Sequence, residues 1–223
     1  MNKRGIYTTI LVALTVIVLG AGGIYLATNN SQSTKVEAQD QKSKPKPKKK
    51  APKKKISQID KDDKDMVPLK KFKYTMSSEK KAYPNLQEHP NAWIDVDITT
   101  QRVYIMDGKT QLYEMYASTG EDDATPKGTF HIEPERGEFF YTKPLKLGAF
   151  YWVSFKDHGV YLFHTSPTDV QGNYVESIAK TLGKKPSSHG CIHLSTPDCK
   201  WIYENVPTNM TVKIHGTFNE ARR

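Results

Sequence analysis

Between Asn29 and Pro68 the chain is built of Lys, Pro, Ser, Gln and Asp with almost nothing apolar. Such a stretch cannot bury enough surface to offset the entropy lost on ordering. It predicts a disordered, self-repelling, extended spacer, so any fold has to be made from the residues that follow. Ahead of it, residues 5–28 read GIYTTILVALTVIVLGAGGIYLAT without one charged side chain. A helix needs roughly 20 apolar residues to cross a bilayer, whereas a cleavable signal has an apolar core of about 7 to 15. The run therefore predicts a single-pass transmembrane signal anchor, with a cleaved signal as the alternative; either one exports the rest. No amphipathic face interrupts it, which argues against a buried core helix.

The charge is as uneven as the hydropathy. Residues 1–71 carry 16 Lys and Arg against 6 Asp and Glu, while residues 72–223 carry 17 against 18, so the overall +9 belongs to the tether. A nucleic-acid-binding domain wears its positive charge on the fold itself, and that function class is set aside. The basic run KSKPKPKKKAPKKK at residues 42–55 outweighs Lys3 and Arg4, which by the positive-inside tendency favours the cytoplasm. It begins about a dozen residues beyond the apolar run, and the chemistry argued below needs an extracellular substrate. The expectation is a cell-membrane protein whose folded part is extracellular, with the spacer also holding anionic polymers or lipid headgroups at the cell surface. The organisation expected is a cytoplasmic 1–4, an anchor at 5–28, a linker at 29–71, a lead-in at 72–91, a catalytic domain at 92–216 and a tail at 217–223.

From Ala92 the periodicity becomes two: Ile94, Val96 and Ile98 alternate with Asp95, Asp97 and Thr99, the pattern of a half-buried strand. RVYIM at 102–106, the turn-forming Asp107-Gly108 and QLYEMYAS then predict three antiparallel strands. Further strands are expected around residues 125–130, 139–141, 150–155, 160–164 and 210–215. Helix signals are few. YVESIAKTL at 174–182 ends at Gly183, and residues 197–205 follow Thr196 as cap and Pro197 in the first turn, with Trp201 and Ile202 facing the core. The fold class expected is mainly β, a sandwich or barrel with two short helices.

SSHGCIHL at 187–194 places one of two cysteines between two histidines. A free thiol has a pKa near 8.5, so a nucleophilic cysteine needs a base beside it. His189 and His193 share a face with Cys191 in an extended segment, but two steps along a strand span roughly 6.5 Å. A histidine on a neighbouring strand comes closer, and His164, at the end of VYLFHTS, is the candidate. Gly190 clears space for a carbonyl to approach the N–H groups of Gly190 and Cys191 as an oxyanion hole. Two other readings stand beside this one. His164, His189, Cys191 and His193 make up four zinc-type ligands, and a Cys191–Cys199 disulfide is conceivable in an exported chain. Cys199 otherwise reads as a small buried hydrophobe.

SHGCIHL, with HT at 164–165, TPKGTF at 125–130 and FYW at 150–152, resembles the L,D-transpeptidase catalytic domain, the YkuD family of cell-wall enzymes, over roughly residues 92–214. The resemblance implies a cross-linking reaction on peptidoglycan stem peptides as donor and acceptor, by a monomer without metal or cofactor. It makes Cys191 the nucleophile, His164 the general base and acid, and the Thr165 carbonyl the group orienting that imidazole. Ser188, His189 and Gly190 would shape the oxyanion and donor pocket, with Thr165, His193, Tyr151 and Trp152 on the substrate side. Two features depart from the family pattern: His193 stands where Arg or Asn is common, and the long 166–187 interval implies a lid or an inserted helix over the cleft. L,D-carboxypeptidase trimming of the stem, a zinc hydrolase and a non-catalytic wall-binding module are the competing functions.

Overall fold

The computed structural model describes residues 64–222. The anchor at 5–28 and the spacer up to residue 63 lie outside the described residues. Among the described residues no helix is long and apolar enough to cross a membrane.

Nine strands form one sheet: β1 (Ala92–Asp97), β2 (Arg102–Asp107), β3 (Thr110–Ser118), β4 (Gly128–His131), β5 (Arg136–Thr142), β6 (Leu147–Lys156), β7 (Tyr161–Thr165), β8 (Ile192–Leu194) and β9 (Thr211–His215). Their spatial order is β4-β9-β1-β2-β3-β8-β7-β6-β5. The β1/β9 and β7/β8 pairs are parallel and the remaining pairs antiparallel. After β4 the chain bonds back to β6, with Glu133 N–H on the Ser154 carbonyl at 2.8 Å and Ser154 N–H on the Glu135 carbonyl at 2.9 Å. The two ends of the strand order are thereby drawn together, and the sheet curls.

The alternation read from the sequence fills the inside of this curl. Ile94, Val96, Ile98, Val103 and Ile105 are fully buried and meet Met115, Phe155, Phe163, Ile192 and Leu194 in one core. Each such side chain contributes about 1.5–3 kcal/mol by leaving water. The β2/β3 hairpin turns one residue later than expected: Asp107 pairs with Thr110, so Gly108, at φ +56°, and Lys109 make the loop.

Two α-helices accompany the sheet, α1 (Glu176–Ala179) and α2 (Thr196–Asn205). The cap of α2 is Ser195 rather than Thr196: its hydroxyl accepts from the Asp198 N–H at 3.3 Å, which starts the helix one residue earlier. Cys199, Trp201 and Ile202 are buried beneath α2, as expected. Only four residues of the expected 174–182 helix are helical, because Val175 supplies no side-chain cap and Thr181 Oγ1 donates back to the Ile178 carbonyl at 2.6 Å. Both cysteines are free thiols, so the disulfide reading is set aside.

The expected linker boundary at Lys71 moves, because Met66 and Val67 are already buried. The lead-in is bound to the domain through Asp198. Its buried carboxylate accepts from Ser78 N–H (3.2 Å), Ser78 Oγ (2.5 Å) and Tyr83 Oη (2.7 Å). Tyr83 stacks on Tyr113 and Trp201, and Thr196 N–H donates to the Tyr74 carbonyl at 2.8 Å. No part of this was legible in the polar text of residues 64–91.

Candidate active site

Parallel pairing of β7 with β8 sets the site. Phe163 lies opposite Ile192, and His164 opposite His193. Because side chains alternate faces along a strand, Leu162 and His164 share a face with Cys191 and His193, and all four line one cavity of about 340 Å³. The expectation of one extended segment through 189–193 is corrected: β8 begins at Ile192, and Cys191 sits just before it. His164 is therefore the diagonal neighbour of Cys191 across the strand pair, with His193 directly opposite it.

The His164 ring is held on three sides. Nδ1 lies 2.7 Å from the Thr165 carbonyl, which can only accept, so that nitrogen carries the proton and Nε2 is the basic one. The edge of Phe140 packs at 5.4 Å and the His193 ring at 4.8 Å. Thr165 is buried, and its hydroxyl accepts from the Phe150 N–H at 3.0 Å, so β6 fixes the orienting carbonyl. Thr165 thus stands behind the histidine and does not line the cavity, unlike the substrate-side place expected of it.

Burial displaces both His164 and Cys191 toward their neutral forms. The His164 imidazole is pushed down to about 4 by desolvation, opposed by its bond to the Thr165 carbonyl. Desolvation raises the Cys191 thiol, opposed by the Leu162 backbone N–H. Sγ rests 3.6 Å from the Val160 carbonyl, a weak contact. His193 is buried and pushed well below its ordinary range by desolvation and by the other two imidazoles.

The loop carrying the thiol is fixed from both ends. Ser188 Oγ donates to the Cys191 carbonyl at 2.6 Å and accepts from the Gly190 N–H at 3.0 Å. One of the two expected oxyanion donors is therefore engaged by a hydroxyl in this state. Gly190 has φ +137°, and a Cβ there would come within 2.9 Å of the Tyr161 ring and 3.1 Å of the Ala124 carbonyl. Thr125, the first residue of TPKGTF, accepts from the Gly120 N–H (2.7 Å) and donates to the Gly190 carbonyl (2.9 Å). This explains why that distant motif accompanies SHGC. His189 is exposed at the cavity lining.

Tyr151 and Trp152 do not join them. Tyr151 packs against the core and Tyr203 of α2, and its carbonyl accepts from the Cys199 thiol. Trp152 lies against Gly137 and the edge of Phe140, one layer behind the lining. The residues missed in the sequence are the apolar lips, Leu145 and Val160, and Ser187, which joins Ser118 and Thr181 in a hydroxyl cluster beside His193. The exposed Leu and Val had no periodic partner to mark them. The 166–187 interval is a fixed wall in this structure: Thr168 exchanges two backbone bonds with Gly148 at 2.7 and 2.8 Å, and Tyr174 Oη bonds Thr196 at 2.6 Å. Among the described residues, the His, Cys, Asp and Glu donors that converge as a metal would require are Glu133, Glu135 and His158, none of them in the SHGC motif.

Comparison with known proteins bears on the family of the chain. The family model for the YkuD L,D-transpeptidase catalytic domain matches residues 91–214. YciB of Bacillus subtilis (strain 168), itself named as a provisional L,D-transpeptidase, is 46% identical over 136 residues, 59% of this chain and 69% of that protein. Among solved structures, an L,D-transpeptidase from Stackebrandtia nassauensis aligns at 21% identity and TM-score 0.45, over 68% of this chain and 64% of that one. One from Mycobacterium smegmatis aligns at 20% and 0.46, over 56% and 58%. The chain thus spans less than two thirds of either solved chain.

Proposed function

Because the chain belongs to the YkuD family of L,D-transpeptidase catalytic domains, we propose that it cross-links peptidoglycan stems through a thioester on Cys191. The observation that carries this reading is the His164 imidazole, its Nδ1–H committed to the Thr165 carbonyl on the face it shares with Cys191 in the cavity lining.

The donor is a tetrapeptide stem. As the Cys191 sulfur attacks the carbonyl carbon before the terminal D-residue, its proton passes to His164 Nε2, and backbone N–H groups of the 189–191 loop stabilise the oxyanion. The C–N bond then breaks, His164 returns the proton to the leaving amine, and a thioester remains. An acceptor amine attacks that thioester, the C–S bond breaks, and the amine proton returns through His164 to the sulfur. Water in place of the amine gives the L,D-carboxypeptidase reaction from the same intermediate. Proton transfer within the substrate complex suits groups that are both neutral beforehand, and the displacements of Cys191 and His164 have that sign.

The anchor and basic spacer would hold this domain outside the membrane and within reach of the wall. The full chain incubated with a disaccharide-tetrapeptide is expected to release the terminal D-residue and yield a cross-linked dimer, both lost in Cys191→Ala. Stem turnover that persists in Cys191→Ala would contradict the reading.

A further inference from the structure

Where the sheet closes, outside the cleft, three donor side chains converge. Glu133 and Glu135 come from the segment that bonds back to β6, and His158 from the turn between β6 and β7. One ligand atom of each lies within 4.8 Å of the others. Ligands held at zinc bond lengths in a tetrahedron stand about 3.4 Å apart, so small side-chain rotations close the set. None of the three lines the cavity of Cys191.

The turn is held toward this point by its own hydrogen bonds. Glu133 Oε2 accepts from Ser154 Oγ at 2.6 Å and from the His158 N–H at 2.9 Å, and Ser154 Oγ accepts from the Gly159 N–H at 2.9 Å. Asp157 and His158 have φ of +59° and +47°, a conformation that non-glycine residues keep only when their surroundings impose it. A ligating carboxylate that is itself hydrogen-bonded is the usual outer support of a metal centre. The His158 side chain is 74% exposed, and with Glu133 and His131 it lines an open hollow, which gives an ion its way in.

Charge and bonding both call for more than a proton. His158 Nδ1 meets Glu135 Oε1 at 3.0 Å, whereas Glu135 Oε2 is buried with no hydrogen-bond partner among the described residues. One imidazolium balances only one of the two carboxylates. The neighbouring cations are directed elsewhere: Lys156 pairs with Asp157, and Arg136 donates to the Tyr203 and Val206 carbonyls at 3.0 and 2.9 Å. A divalent ion matches both carboxylates and supplies the buried oxygen with a partner, and the imidazole beside them favours zinc over calcium or magnesium. We propose that Glu133, Glu135 and His158 form a zinc-type divalent-metal site that clamps the β6/β7 turn to the segment closing the sheet. Val160, the last residue of that turn, carries the carbonyl against Cys191 Sγ, so the clamp steadies the chain beside the thiol without entering the cleft.

The test is zinc titration of the metal-stripped full chain by isothermal calorimetry, paired with thermal unfolding. One ion per chain with a micromolar or tighter Kd is expected, and a hundredfold excess over Kd is expected to raise the unfolding midpoint by about 5–10 °C. Cys191→Ala is expected to keep both results, which separates this site from the thiol and its histidines. His158→Ala and Glu135→Gln are each expected to weaken zinc by about tenfold or more and to abolish the rise in midpoint. Glu135→Gln keeps the shape of the side chain and guards against a folding defect in the other variant. Zinc that is lost in Cys191→Ala and retained in His158→Ala sits in the cleft and overturns the proposal. So does a chain that takes up no zinc below about 1 mM.

Discussion

At Cys191 and His164 the sequence offers the residue types and the structure decides their ionisation. A thiol raised by burial and an imidazole lowered to about 4 are both neutral across the mildly acid to neutral range. The thiolate accumulates only above the usual thiol range, because raising a pKa moves deprotonation to higher pH. Alkylation of Cys191 by iodoacetamide, with Cys191→Ala as blank, is therefore expected to climb continuously from about pH 7 to above pH 9. A plateau reached by neutrality would mean a preformed thiolate–imidazolium pair. Gly190 supplies a second test at this scale. Its φ of +137° and the 2.9 Å approach to Tyr161 leave no room for a methyl group. Gly190→Ala is expected to lower stability by about 1–3 kcal/mol and to slow Cys191 acylation, read by thermal unfolding and by mass. Cys191 and His164 stood out in the sequence by residue type, and the structure brings both to one cavity; the packing of Gly190 against Tyr161 and the Ala124 carbonyl was not legible. Tyr151 and Trp152 were misplaced because strand position alone does not say which aromatic reaches the cleft: Tyr151, at φ +54°, turns to the core and Tyr203, and Trp152 packs behind Phe140.

Among the elements, the β7/β8 register places the chemistry and α2 anchors the frame. The strands were legible from their alternation, whereas boundaries that depend on one hydroxyl or one turn were off by a residue: Ser195 caps α2, and Gly108-Lys109 closes the β2/β3 hairpin. Such choices are settled by which nearby group captures a single N–H, and pattern alone does not fix that. Asp198 gives this scale its prediction. It is fully buried without a cation, and Ser78 supplies two of its hydrogen bonds. Ser78→Ala removes the hydroxyl donor and is expected to cost about 1.5–3 kcal/mol in denaturant unfolding, the range for bonds to charged groups. A change of a few tenths of a kcal/mol would show that Asp198 is held by its other partners.

For the whole molecule, the compositional break divided tether from fold but placed the border too late. Residues 64–91 show no regular apolar spacing, and Met66, Val67, Tyr83 and Leu86 among them are packed into the domain with backbone and carboxylate bonds that no periodicity announces. A chain beginning at Ala92, where the strand pattern starts, is expected to unfold at lower denaturant than one beginning at Lys64, because Asp198, Tyr113 and Trp201 lose their cover. Equal midpoints would make the lead-in an ornament of the fold. The central claim concerns the thiol, and the most direct measurement is the intact mass of the full chain mixed with a disaccharide-tetrapeptide. The account requires an adduct on Cys191 equal to the stem less its terminal D-residue, absent in Cys191→Ala and discharged by an amine acceptor. An unmodified Cys191 in a chain that still consumes the stem would contradict it.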